Sequence, residues 1–508
     1  MSTKLHSGQI VGLAGLPIEV EIDLTPGLHH FSIVGLADKA VDESKERVCA
    51  AIKNSGFRSP RKKNHRITVN LAPADLQKEG ALFDFSIALA YLLESGQIAF
   101  DPVNKFFLGE LALNGSLRPI RGILPLVLAA RDAGFTEIFI PKGNSEEARL
   151  VENISLFEVS SLADAIEHLE QKVAITPLAH EKFKEKYVAH ATDFSDIKGQ
   201  EFAKRGIEIA AAGNHHIALI GPPGTGKTLI ARALPSILPP LSFDEALEIT
   251  SIHSIAGTLE SGIMSTRPFR NPHHTASYVS LVGGGAYPRP GEITLAHRGV
   301  LFLDEFPEFD RRVIETMRQP LEDRTISISR ARGSLTFPAS IMLVAAMNPC
   351  PCGNRGSTKE CVCAPRQLAY YSRKLSGPIL DRIDLWISMP QVEYKKLADD
   401  TTAAGESSAT IRNRVTTARA TQTKRFGNNE TKTNAHMNLR EIKKFCTLDL
   451  EEKKIIEDAS RRLDLSARAY HRVLKVARTI ADLVGSEKIK TEHLLEAIQY
   501  RPHRETFL

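Results

Sequence analysis

A chain of 508 residues, 42% apolar and 25% charged, has the makeup of an ordinary globular protein, and its length suits about three domains. Its 65 basic groups against 60 acidic ones leave a net charge of +5, which excludes a global polyanion-binding surface and confines nucleic-acid contacts to local patches. No apolar run is long enough to span a bilayer, and the start "MSTKLHSGQIVGLAGLPIEV" lacks the charged, apolar and small-residue order of a secretion signal. The expectation is a cytoplasmic protein with reduced thiols.

Residues 1–170 alternate strand-like runs, "PIEVEIDL" and "HRITVNLA", with helical ones, "DFSIALAYLLES" and "ILPLVLAARDAG". A polar, irregular stretch at 171–194 is expected to link this region to the next. Between 195 and 395 the strands "HIALIG", "GVLFLDE" and "IMLVAAMN" alternate with helices, the pattern of a mostly parallel sheet covered on both faces. A second polar break, "LADDTTAAGESSAT", leads into 410–508. There "EEKKIIEDASRRLD", "ARAYHRVLKVARTIADL" and "TEHLLEAIQY" repeat apolar residues at three-to-four spacing. The expected fold class is α/β with a helical C-terminal domain.

The strongest chemical signal is "HIALIGPPGTGKTLIARAL", in which an apolar strand runs into Gly221, Pro222, Pro223, Gly224, Thr225, Gly226, Lys227 and Thr228, and a helix follows at once. This is G-x-x-x-x-G-K-[ST] in its required context. Backbone N–H groups close around phosphates, Lys227 reaches the β/γ-phosphates, and the Thr228 hydroxyl ligates Mg²⁺. Downstream, "RGVLFLDEF" ends an apolar strand in Asp304, placed for the Mg²⁺ shell, and Glu305, placed to polarise an attacking water. An Asp-Glu pair alone is weak, since most are solvated strand ends; after a P-loop it points to ATP and Mg²⁺ as cofactors.

Further residues resemble the AAA+ ATPases, specifically their magnesium-chelatase-like branch of the competence-protein type, over nearly the whole chain. The resemblance implies that Asn348, ending "IMLVAAMN", is the sensor-1 residue near the γ-phosphate. "LSGPILDRIDL" resembles the arginine-finger segment, with Arg382 as the finger, and "LSARAYHRVLKVARTIADL" the sensor-2 segment of the helical lid, with Arg468 at the matching position. Arg472, one turn further, is a substitute for Arg468. The competing reading for each arginine is an ordinary salt bridge. A finger serves a neighbour's nucleotide, so the resemblance implies a homo-oligomeric ring, a hexamer.

Two insertions mark this branch. The long segment from "SIHSIAGTLE" to "ITLAHRG", rich in Gly, Pro, His and Arg, matches the helix-2 insert that faces the pore in such rings. His273 and His274 within it are adjacent, unlike an i, i+4 metal pair, and read as loop residues. "RTISISRARGSLTFPAS" alternates Ile326 and Ile328, then Leu335 and Phe337, around a turn. It reads as a hairpin that resembles the pre-sensor-1 hairpin which related helicases turn towards DNA, with Arg330 and Arg332 near its tip.

Four of six cysteines crowd into "NPCPCGNRGSTKECVCAP": Cys350, Cys352, Cys361 and Cys363, in C-x-C-x₈-C-x-C order. Four thiolates make a closed tetrahedral zinc site that would hold together a loop with almost no apolar core. The alternative is four reduced thiols without metal.

The first region, through "NLAPADLQKEGALFDFSIALAYLL" and "LALNGSLRPIRGILPLVLAARDAGF", resembles the proteolytic domain of the Lon family, which uses a Ser-Lys dyad. Leu82 stands where that serine belongs, and Leu124, Pro125 and Leu126 stand around the lysine position. Peptidase chemistry is therefore expected to be absent. A basic loop, "RSPRKKNHR" at 58–66, is a phosphate-contact candidate or simply a solvated charged loop.

The resemblance implies an ATP-driven ring motor on single-stranded or branched DNA, of the kind that branch-migrates DNA during natural transformation. The second reading is a magnesium-chelatase-like ATPase chaperone for a protein or metal-insertion partner. An unfoldase-protease is disfavoured by the missing dyad and by the lack of an aromatic pore loop.

Overall fold

In the computed structural model, which describes residues 2–62, 64–181, 183, 192–260, 262–285, 289–330, 333–375, 377–391, 405–427, 429 and 431–502, the chain divides into two units. The first is Met1–Lys184 with Leu247–Met264; the second is Glu185–Ala246 with Ser265–Leu508. Most of the second polar break, 397–404, and residues 184–191 of the expected linker lie outside the described residues.

In the first unit, β1 (Thr3–Val11), β2 (Ala14–Pro26), β3 (His30–Val34) and β4 (His65–Ala72) form a sheet in the order β1-β2-β4-β3. Only the β3–β4 pair is parallel. Period-two patterning orients it: Val20 pairs with Leu71 and Ile22 with Val69, all four fully or almost fully buried on one face. That core takes in apolar residues of α1 (Lys39–Asn54), capped by Asp38, and of α2 (Asp84–Glu94), which is buried from Asp84 to Leu92. A second sheet, β5 (Lys105–Phe107), β6 (Glu137–Pro141) and β7 (Ser155–Val159), is parallel throughout and accompanied by α3 (Ile123–Asp132) and α4 (Leu162–Leu169).

Residues 247–264 carry most of the helix Phe243–Ala256 into this unit. Leu247 packs on the cluster that contains Leu124 and Leu126. Ser254 Oγ accepts the Gly122 N–H at 3.0 Å and donates to Glu147 at 2.7 Å.

The second unit is built on five parallel strands. In chain order these are β8 (Ile217–Ile220), β9 (Phe269–Arg270), β10 (Val300–Leu303), β13 (Met342–Met347) and β14 (Leu385–Ser388), arranged β9-β10-β13-β8-β14. Residues of β8, β10 and β13 are buried at every position, as expected of strands covered on both faces. Between β10 and β13 lies the hairpin of β11 (Thr325–Arg330) and β12 (Gly333–Pro338), in which Ile326 faces Phe337 and Ile328 faces Leu335. The sequence pattern locates it because alternation is a local property.

Helix α5 (Glu201–Gly213) leads into β8, and α6 (Lys227–Ala233) leaves it. Helix α7 (Pro365–Lys374) lies between β13 and β14, and after the sheet come the C-terminal helices α8 (Ser408–Arg425), α9 (Leu450–Leu463), α10 (Ala467–Leu483) and α11 (Thr491–Gln499). Val473, Val476, Ala477 and Ile480 form the buried stripe of α10 in the same core as α5 and the sheet. The α/β class with parallel sheets and a helical C-terminal region is as expected. Among the described residues, no helix is long and apolar enough to cross a membrane.

Candidate nucleotide site

Register places the site. Ile220 pairs with Met347, and Leu303 with Ala345, so the residues that follow β8, β10 and β13 emerge together at the carboxyl edge of the sheet. Those residues are Gly221, Asp304 and Asn348. The Gly221 N–H donates to the Met347 carbonyl at 3.2 Å, which ties the loop's first residue to the end of β13. Gly224 and Gly226 adopt φ of +79° and +88°, conformations that L side chains rarely take, and a Cβ at either would meet nothing within 4 Å. The backbone is shaped as a cradle with open space over it.

Lys227 Nζ donates to the carbonyls of Gly221 (2.6 Å) and Pro222 (2.9 Å) and to Asn348 Oδ1 at 3.2 Å. Burial pushes its pKa below the usual lysine range, against the pull of Asp304. The ammonium is thus folded onto its own loop, with three acceptors where phosphate oxygens would compete. Thr228 Oγ1 donates to Asp304 Oδ2 at 2.9 Å. This hydroxyl and carboxylate are hard oxygen ligands of the kind Mg²⁺ takes.

Glu305, next to Asp304, sits in the left-handed region (φ 52°, ψ 42°), and its N–H donates to Asp304 Oδ1 at 2.9 Å. A non-glycine residue held there is uncommon and marks functional sites often enough to matter. His274 Nδ1 lies 3.2 Å from Glu305 Oε2. His274 lies in a turn, in keeping with its sequence reading as a loop residue rather than a metal ligand; its pairing with Glu305 is what the long insert between the two residues hides in the sequence. Tyr371 carries no signal in the sequence either, yet its hydroxyl donates to the Asn348 carbonyl at 3.0 Å.

Arg382 is 8% exposed, ion-paired with Glu322 and bonded to the Pro378 carbonyl at 2.7 Å. Arg468, well exposed, reaches the other oxygen of Glu322 at 3.3 Å. One carboxylate therefore gathers both arginines that the motifs single out, which no linear spacing announces. Arg472 is committed elsewhere, to the buried Asp384. Burial would raise the Asp384 pKa, but Arg472 and His215 hold it well below the ordinary carboxylate value.

The four clustered cysteines converge as expected: their sulfurs all lie within 4.8 Å of one another. Cys49 and Cys446 are separate, buried thiols.

Three models of magnesium chelatase cover most of the chain: "Magnesium chelatase, subunit ChlI" over residues 193–397, "Subunit ChlI of Mg-chelatase" over 20–144, and "Magnesium chelatase, subunit ChlI C-terminal" over 405–501. The competence protein ComM of Haemophilus influenzae is 44% identical over 503 residues, 98% of this chain and 97% of its own. The chain belongs to the magnesium-chelatase-like ComM/YifB family. YifB of Escherichia coli is 43% identical over 500 residues, 98% of this chain and 96% of its own. Lon protease 2 of Bacillus subtilis is 32% identical over 149 residues, only 27% of this chain and 26% of its own.

In this ComM/YifB-family chain, the positions matched to the Lon dyad hold apolar side chains. Leu82 is half-buried against the cluster that contains the fully buried Leu124 and Leu126. In the basic loop at 58–66, Arg61 pairs with Glu46, and Lys63 lies outside the described residues. Arg330 pairs with Gly333 at the end of the hairpin. Its side chain, like the whole of Arg332, lies outside the described residues.

Proposed function

We propose that this ComM/YifB-family protein is an Mg²⁺-dependent ATPase that works as a ring, most simply a hexamer, and drives remodelling or branch migration of single-stranded and branched DNA. The observation that carries the ATPase reading is the convergence of the P-loop, Asp304, Glu305 and Asn348 at one sheet edge. Mg²⁺ held by Thr228 and Asp304 would supply neutralisation of phosphate charge. Gly221 to Thr228 bind the phosphate chain through backbone N–H groups, and Lys227 exchanges its carbonyl partners for phosphate oxygens. Thr228 and Asp304 hold the cation, while Glu305 orients and polarises water and Asn348 holds the γ-phosphate end.

In this reading Arg382 serves the nucleotide of an adjacent subunit and Arg468 is the sensor-2 arginine of the lid, and each leaves Glu322 to act. The DNA substrate is supported by the name of the ComM relative, a competence protein, and by the arginine-bearing hairpin. The first unit acts as an assembly or DNA-facing module without peptidase chemistry, and the cysteine centre holds Zn²⁺. A cytoplasmic location suits reduced thiols.

The magnesium-chelatase models favour a second reading, an ATPase chaperone for a metal-insertion partner. ATP turnover measured alone, with single-stranded or forked DNA, and with a chelatase partner separates them. Stimulation and strand displacement with DNA alone support the motor; stimulation only by the protein partner supports the chaperone.

A further inference from the structure

The cysteine loop touches the nucleotide site in three places. Cys350 follows Asn348 by two residues at the end of β13 and is fully buried. Gly353, φ +78°, lies so close to the P-loop that a Cβ on it would stand 2.8 Å from Pro223 Cδ. Cys363 lies just ahead of α7, and α7 returns Tyr371 to the Asn348 carbonyl. The path from Asn348 through the four thiols to Tyr371 is therefore closed on Asn348 itself.

Hydrophobic burial does not hold this circuit. Between Pro351 and Ala364 only Gly353 is buried, and Val362 is 79% exposed. Helix α7 buries none of its residues. The sulfurs, in contrast, are gathered: Cys350–Cys352 is 3.4 Å, and Cys352–Cys361 and Cys350–Cys361 are each 3.7 Å. Thiolates bound at about 2.3 Å to one tetrahedral zinc stand about 3.8 Å apart. A multi-iron cluster with bridging sulfides would spread its thiolates further.

We propose that Cys350, Cys352, Cys361 and Cys363 bind one Zn²⁺, releasing their thiol protons to solvent, and that this metal is the fastener that positions Asn348 and Pro223 for nucleotide turnover. The inference rests on the ATPase reading above. Loss of zinc then lowers ATP turnover without altering any residue that contacts nucleotide.

The test uses the full chain purified without an affinity tag, with zinc measured by elemental analysis, binding by a fluorescent ATP analogue, and turnover by phosphate release. Wild type should carry about one zinc per chain. Cys361→Ser/Cys363→Ser should lose the zinc and, with Asn348 no longer held in place, about tenfold or more in turnover, with analogue affinity lowered by less. Tyr371→Phe leaves every thiol in place; it should keep the zinc and still lose turnover severalfold. Metal-free wild type, or full turnover in either variant, overturns the proposal, and Tyr371→Phe decides it if the double variant fails to fold. A Lys227→Ala chain that keeps its zinc but binds no nucleotide isolates the metal site from the ATPase. Wild type with stoichiometric zinc and no ATP hydrolysis would overturn the fastener role through failure of the underlying ATPase reading.

Discussion

Nδ1 of His274 stands 3.2 Å from Oε2 of Glu305, the carboxylate proposed to polarise water. The pairing joins the segment after β9 to the end of β10, so a histidine of the insert holds one of the two oxygens of that carboxylate. Replacing His274 with Ala should free Glu305 and raise unstimulated ATP turnover severalfold, with KM nearly unchanged. Glu305→Gln should lower turnover by about 10²-fold or more, in the range of a lost general base. Steady-state phosphate release on both variants checks this, and a slower His274→Ala enzyme would contradict a restraining role.

Arg382 and Arg468 meet on Glu322, and the proposed task of Arg382 lies on a neighbouring subunit. Glu305→Gln and Arg382→Ala chains should each be inactive, because one lacks the base and the other the finger. Mixed rings contain interfaces with both intact, so mixing should restore part of the activity. If assembled mixtures stay silent at every ratio, Arg382 is not a finger acting across subunits.

Removing the arginines of the hairpin tip, Arg330→Ala/Arg332→Ala, should weaken DNA binding and leave DNA-independent ATP hydrolysis nearly intact. Each phosphate that the variant no longer neutralises should flatten the salt dependence by about 0.7 in log–log slope for single strands. Fluorescence anisotropy on single-stranded and forked DNA at several salt concentrations measures both effects. Equal affinity and equal slope would remove the hairpin from the DNA path.

Acid should destabilise the second unit. Burial lowers the pKa of His215 and takes that of His216 from 6.5 down to about 4. Between those values the unfolded chain binds protons that the folded chain refuses. Stability from these histidines is therefore complete above pH 6.5 and is lost as pH falls towards 4. Thermal unfolding from about pH 7.5 to about pH 5 should show a steady fall in Tm, with a shallower slope in His216→Asn. An unchanged slope would mean that His216 titrates normally in the folded chain.

Deleting residues 1–184 should produce a poorly soluble protein, although the P-loop unit has its own core. The segment Leu247–Met264 would be left without the first unit's partners for Leu247 and for Ser254. Size-exclusion chromatography should show aggregation, and any soluble fraction should still bind nucleotide. A monodisperse truncated chain would show that this segment needs no such cover.

The P-loop, the Asp304–Glu305 pair, the hairpin and the cysteine cluster are legible in sequence because each is a local pattern: a glycine spacing, a strand end, a period of two, a run of thiols. Asn348, Arg382 and Arg468 are marked by family resemblance, and sequence alone does not say what they touch. Only the tertiary structure decided that Glu322 holds two arginines, that Arg472 answers to Asp384, and that His274 faces Glu305. It also assigned residues 247–264 to the first unit. These are pairings between side chains far apart along the chain, set by strand order and register. A sequence carries such neighbours only through the fold that brings them together.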